Sequence, residues 1–366
     1  MRLGLVLLAL LLPLAGAERW EVRYFYDQDD SSLSLNDLQF ASPQRALAVG
    51  YLTEKGRNRP AALITSDAGR HWSLIKPPDV GLCLFFLNEN VGWVVAKGGL
   101  YRLEEGGRTW KKLRAPPGLL CVYFADEMRG WVVGERKAVY YTEDGGASWN
   151  RVLAAEQPKT TPEYTVYAWI TFADARHGLI AGWSRPPRRN DRPRLPDWME
   201  PERAARRREV PTLSILLDTR DGGRTWTPSV TSMFGRITRI KLAPDGRGLG
   251  LVEFAESFQW PTEVFRLEWR TGSSQRVFRR ADRAVTDMAL APGGVAYLVA
   301  IEPQGGKLRL PIPGKLKVLR SSDLLSWEEM EVDYRAFARR AVLAAGVAER
   351  PWVATDTGML LELSGR

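Results

Sequence analysis

Six times along the chain a large apolar residue is followed, six positions later, by Gly or Ala and then by a short apolar run. The pairs are Phe40/Ala46, Phe86/Gly92, Phe124/Gly130, Phe172/Gly178, Leu242/Gly248 and Leu290/Ala296. Runs such as GWVVA from Gly92 and GWVVG from Gly130 have the length of buried strands and are too short for core helices. Each pair therefore marks two consecutive strands joined by a turn. We refer to the two members as the landmark residues.

A second pattern follows each of several pairs: TSDAGRHW (65–72), LEEGGRTW (103–110), TEDGGASW (142–149) and TRDGGRTW (219–226). Trp72, Trp110 and Trp149 are 38 and 39 residues apart, and Trp226 lies 77 further on. Only one landmark pair falls in that longer interval, so the fourth unit is single and carries extra chain. In these octapeptides the Asp carboxylate and the hydroxyl are suited to accept turn N–H groups. Gly supplies a positive φ, and Trp opens an outer strand that packs between neighbouring sheets. A motif that recurs around a repeat architecture belongs to its framework. Asp67, Trp72, Glu105, Trp110, Asp144, Trp149, Asp221 and Trp226 are accordingly assigned structural roles.

Residues 341–363 contain inner strands but no closing Trp strand, while residues 20–26 (WEVRYFY) form an alternating strand with no unit of their own. Joining the two supplies the missing outer strand. The expected fold is all-β, a single seven-bladed β-propeller of four-stranded blades closed by the N-terminal strand, with six or eight blades as the alternative counts. The blades are placed at about 35–78, 79–116, 117–155, 162–231, 235–281, 284–332, and 335–366 plus 19–27, with an insertion at 185–211 in the fourth.

The octapeptides resemble the Asp-box (BNR) motif of sialidase-type propellers. The longer string FADEMRGWVVGERKAVYYTEDGGASW (124–149) is similar to the photosystem II stability/assembly factor family, whose units repeat Phe…Gly-Trp-x-x-Gly…Thr-x-Asp-Gly-Gly-x-x-Trp. The match is strongest over 80–153, good over 36–76 and 165–230, and faint beyond. Leu103 and Glu105 depart from it in the second unit, and SSDLLSW (321–327) is one residue short in the sixth. The resemblance implies a secreted, non-enzymatic assembly factor that binds a membrane-protein subunit in the thylakoid lumen.

Composition narrows the chemistry. Among 366 residues there are two His and two Cys, which argues against a zinc cluster or a disulfide-dense scaffold. No metal or cofactor is expected. No Gly-x-Ser-x-Gly elbow or phosphate-binding Gly-Lys-Ser/Thr loop is present. A sialidase-type or other glycan-active hydrolase is the alternative function, with Asp29, Asp30, Glu253 and Glu256 among the acids available to it. Cys83 and Cys121 occupy equivalent positions in adjacent units; because inner strands of neighbouring blades diverge, they read as two buried small residues, with a bridge conceivable. Arg2, the apolar stretch 3–14 and Ala15-Gly16-Ala17 read as a signal peptide over 1–17, cut before Glu18. That places the mature chain in a secreted or periplasmic setting, or the thylakoid lumen in a photosynthetic organism, without a lipid anchor.

The formal charge is +9, and its placement is the sharpest functional signal. The octapeptides sit at the turn between the third and fourth strands, so the turn between the second and third lies on the opposite face, beside the mouth of the central channel. Several units elaborate that turn. The insertion at 185–211 holds nine Arg against five acids, including Arg185, Arg188, Arg189, Arg192, Arg194, Arg206, Arg207 and Arg208. The first unit adds Arg57 and Arg59, the sixth Lys307 and Arg309, and the fifth Phe258 and Trp260. One face thus gathers basic and aromatic residues, suited to an acidic protein partner such as a membrane-protein subunit or envelope assembly. A monomer is expected, with no nucleic-acid partner.

Overall fold

The structure is a computed structural model that describes residues 18–185, 199, 210–255, 258–303, 312–345 and 350–365. These form seven four-stranded antiparallel blades, each running from an inner to an outer strand; five are separate sheets, and the sixth and seventh are joined edge to edge into one larger sheet. The first holds Ser31–Phe40, Ala46–Glu54, Arg57–Thr65 and Ser73–Ile75. The second holds Gly81–Phe86, Gly92–Ala96, Gly99–Glu104 and Thr109–Leu113. The third holds Leu119–Phe124, Gly130–Gly134, Val139–Thr142 and Asn150–Arg151, and the fourth Thr165–Phe172, Gly178–Ser184, Thr212–Thr219 and Thr227–Met233. Gly235–Leu242, Arg247–Phe254, Thr262–Glu268 and Ser273–Arg279 make the fifth. Ala284–Leu290, Ala296–Glu302, Gly314–Ser321 and Glu328–Val332 make the sixth.

The seventh sheet has Ala341–Ala344, Trp352–Thr355 and Met359–Ser364, and its outer strand is the N-terminal Arg19–Phe25. Trp20 lies opposite Leu363 on that sheet and also pairs in parallel with Val332 of the sixth. It is fully buried, edge-on to Tyr297 at 6.0 Å. Closing the ring with the first strand of the chain removes a sheet edge that would otherwise be open to pairing.

The landmark pairs have a steric explanation. Each large residue is directly opposite its small partner across the first ladder: Phe40↔Ala46, Phe86↔Gly92, Phe124↔Gly130 and Phe172↔Gly178. A Cβ on Gly130 would stand 2.5 Å from the Phe124 ring, and one on Gly178 would stand 2.7 Å from Phe172. At these glycines the Phe ring leaves no room for a side chain. The same Phe rings meet the octapeptide Trp edge-on: Phe40 with Trp72, Phe124 with Trp149 and Phe172 with Trp226, at 5.9 to 6.5 Å. Phe, Gly and Trp recur together because they form one packing unit in each of these blades.

The turns at this end are held by side chains. Thr142 Oγ1 donates to Asp144 Oδ1 at 2.7 Å and accepts from the Gly146 amide at 2.9 Å, while Asp144 accepts from the Ser148 amide at 2.9 Å. Thr65/Asp67 and Thr219/Asp221 repeat the arrangement. The His71 amide and ring hold the Asp67 carboxyl down to about 2. Asp221 reaches about 2 because hydrogen bonds from Thr225 and Thr219 outweigh its burial. The shortened sixth turn works similarly, with amides of Ser326 and Leu325 on Asp323. In the second, Glu105 takes a φ of 54°, and Trp110 Nε1 donates to the Gly107 carbonyl at 3.0 Å.

Candidate functional site

At the opposite end of the ring the sheets carry Arg57, Arg59, Arg185, Phe258 and Trp260 from the predicted basic and aromatic set. The rest of that set, Arg188, Arg189, Arg192, Arg194, Arg206, Arg207, Arg208, Lys307 and Arg309, lies outside the described residues. Arg57 and Arg59 stand on an extended hairpin whose ladder continues to Glu54↔Arg57, with Lys55 and Gly56 at its tip, both at positive φ. The elaborated turn of the first blade is therefore a strand extension. It presents Arg57 and Arg59 to solvent, with Arg59 3.3 Å from Glu54. Such an exposed pair contributes little to stability, so the guanidinium remains available for exchange with another carboxylate.

The fourth and fifth blades form a continuous patch. Arg185 follows the strand Gly178–Ser184, its amide bonded to the Tyr164 carbonyl at 3.0 Å. Two residues earlier, Trp183 lies under the Arg236 guanidinium at 5.3 Å, which links the two blades. Trp260 is capped by Arg279 at 3.9 Å and meets Phe254 edge-on. Phe258 joins Phe254 and Phe234 at 5.3 and 5.7 Å, and Phe234 is half exposed. The chain leaves this patch after Arg185 and returns at Val210, so the Arg-rich insertion begins and ends beside it.

The third blade shows what a tight turn does with the same residue types. Arg136 pairs with Glu163 at 2.8 Å, while Lys137 is buried and donates to the Pro158 carbonyl at 2.8 Å. These two cations are engaged within the ring.

Apart from Cys83, the channel holds residues that sequence reasoning did not single out. Its cavity, about 500 Å³, is walled by the inner strands and lined by Asp37, Cys83, Trp169, Arg239, Lys241, Asp287 and Arg340. Six inner strands carry a bulge, and Asp37, Cys83, Cys121, Trp169, Arg239 and Asp287 each follow it directly. All six stand three positions before a large landmark residue, and that spacing was the available signal. Side chains here reach the next blade: Asp37 accepts from the Leu84 amide at 2.7 Å and Asp287 from Leu343 at 2.9 Å, while Trp169 donates to Ile240 at 2.7 Å. They satisfy backbone groups on an inner strand that has no further strand beside it.

The Arg239 and Lys241 cations lie 4.5 and 5.0 Å from the Trp169 ring. Burial pushes the Asp37 carboxyl up to about 6, with Asp287 adding to the effect and the Leu84 amide and Lys241 opposing it. Arg340 lines the channel cavity, where desolvation together with the like charge of Arg239 lowers its guanidinium pKa. The sulfurs of Cys83 and Cys121, expected to diverge, are 3.0 Å apart. Neighbouring blades approach most closely at their inner strands, and both residues sit there.

Among the described residues, the acids considered for glycan hydrolysis lie at the first and fifth blades. Asp29 and Asp30 occupy the turn before Ser31, Glu253 is on the fifth blade accepting from Thr238 at 3.1 Å, and Glu256 lies outside the described residues. Among the described residues no cluster of three His, Cys, Asp or Glu side chains is placed to hold a metal ion, and no helix is long and apolar enough to cross a membrane.

Solved structures share this architecture. A YCF48 bound to a D1 peptide superposes with a TM-score of 0.58 at 13% identity, covering 94% of this chain and 100% of that one. YCF48 from Cyanidioschyzon merolae gives 0.58 at 16% identity over 94% and 98% of the two chains. The chain shares its fold with the YCF48 propellers. The WD40 propeller domain of Doa1 is also similar, with a TM-score of 0.54 at 8% identity over 95% and 97%. No family model matches the chain, and no curated protein matches it in sequence. The resemblance noticed in the octapeptides thus extends to the whole ring as a likeness of fold.

Proposed function

We propose that the protein is an exported, non-enzymatic binding or assembly factor that docks an acidic segment of a protein partner on the face opposite the octapeptide turns. The observation that carries this reading is the linked patch of Trp183, Arg236, Phe258, Trp260 and Arg279, from which the Arg-rich insertion leaves and to which it returns. Arginine offers paired donors to carboxylates, and exposed aromatic surface adds apolar contact, a combination enriched in protein-binding sites. That a YCF48 of the same fold has been solved with a D1 peptide supports a peptide-sized partner. A membrane-protein subunit or envelope assembly is the partner class we favour. The leader-like segment at 1–17 supports a secreted or periplasmic site of action, or the thylakoid lumen in a photosynthetic cell.

The test is binding of fluorescent peptides of matched length, acidic, neutral and basic, to the full chain and to a variant carrying Arg188→Glu, Arg189→Glu, Arg206→Glu and Arg207→Glu. The acidic peptide should bind best, weaken at least tenfold in the variant, and lose affinity as salt rises. Equal binding of the three peptides, or no loss in a folded variant, refutes the proposal. Turnover of chromogenic glycosides by the purified chain would favour a hydrolase instead.

A further inference from the structure

We propose that Cys83 and Cys121 are the two halves of an inter-blade disulfide, formed when the chain meets an oxidant of the disulfide class. Both residues follow the bulge of their inner strands, opposite Val95 and Val133. Their sulfurs are 3.0 Å apart, so bonding at about 2.05 Å requires an approach of only about 1 Å. At this position side chains reach across to the next blade, as Asp37, Trp169 and Asp287 do. Cysteine occupies two successive places in the series, which brings thiol to thiol.

The two thiols are in direct contact, with the Cys83 S–H donating to the Cys121 sulfur. Cys83 lines the channel cavity, giving a reagent a route to one sulfur. In the first step a thiolate of the pair attacks one sulfur of the oxidant's disulfide, forming a mixed disulfide and releasing one thiol. The second cysteine, giving up its proton, then attacks the protein sulfur of that mixed disulfide and releases the other thiol. Two cysteines lose two electrons and two protons, and one oxidant disulfide becomes two thiols. The product ties the second blade to the third at the channel wall. Compartments outside the cytoplasm provide oxidants of this kind.

The experiment exposes the full chain to oxidised glutathione in two ways, as folded reduced protein and during refolding from the reduced, unfolded state. Free thiols are then alkylated under denaturing conditions, and non-reducing peptide maps are read by mass spectrometry. The refolding arm is needed because Cys83 and Cys121 are only 7% and 3% exposed. The expected result is a linked Cys83–Cys121 peptide pair in at least the refolding arm. The oxidised protein should melt several degrees above the reduced one, and Cys121→Ala should abolish that difference. Full alkylation of both thiols in both arms, or glutathione adducts without the linked pair, overturns the proposal.

Discussion

The octapeptide turns and the channel-wall positions both recur around the ring, and they recur in opposite ways. At the turns the residues repeat with the geometry: Thr65, Thr142 and Thr219 each accept the amide of a Gly four positions on. At the channel wall the bulge repeats while its occupants are Asp37, Cys83, Cys121, Trp169, Arg239 and Asp287. A residue that repeats with its backbone is doing the same packing task in every blade. Where the backbone repeats and the residue changes, each side chain is free to carry its own chemistry. Chemical individuality in this ring therefore belongs to the channel wall and the face beyond it.

The strongest challenge to that contrast is the landmark pair. Gly130→Val would drive its side chain into the Phe124 ring, which already stacks on Trp93 at 3.5 Å and meets Trp149 edge-on. A cost of about 3 kcal/mol is expected, measured by denaturant unfolding. Gly250→Ala is the control, because its Cβ would find only ordinary contact with Leu267 at 3.5 Å. Equal destabilisation by the two substitutions would show that the landmark glycine has no special packing role.

A smaller effect tests equivalence between blades. Thr142→Val and Thr219→Val each leave a Gly amide and an Asp oxygen without their hydroxyl partner, in sites only 1% and 2% exposed at the Thr. Each should cost about 1 to 2 kcal/mol, and the two should agree within about 0.5 kcal/mol. Clearly unequal costs would mean that the turns are not interchangeable parts. The same turns set an acid limit. Asp67 and Asp221 titrate near 2, below their unfolded value, so their stabilisation is complete above about pH 4 and is lost as pH falls toward 2.

The sequence made the ring legible because its repeats are steric. Phe124, Gly130 and Trp149 must coexist for the blade to pack, and such a requirement leaves a periodic trace. Closure by Arg19–Phe25 was readable as an orphan strand facing an incomplete unit. The channel wall was not read, since Asp37 and Trp169 share a backbone position and no chemistry. Their common task, reaching the next blade's inner strand, becomes visible only when the ring is closed. The Cys83–Cys121 contact was hidden by reasoning about blades as a whole, which do diverge outward, when both residues lie at the inner end. Arg57 and Arg59, expected on an elaborated turn, stand on a strand extension whose tip depends on Lys55 and Gly56 both taking positive φ.

Asp37 gives the finest test, because its effect has the opposite sign to that of the turn aspartates. Its folded carboxyl titrates at about 6, above the ordinary 3.8. Between those values the folded chain holds a proton that the unfolded chain has lost, so stability falls as pH rises through this window. Asp37→Asn mimics the protonated form and removes the penalty. Relative to the parent, the variant should gain on the order of 1 kcal/mol between pH 4 and pH 7. Thermal unfolding of both proteins across that range reads the difference directly. A gap that stays constant from pH 4 to pH 7 would mean that Asp37 titrates normally, and the channel wall would then lose its claim to a chemistry distinct from that of the turns.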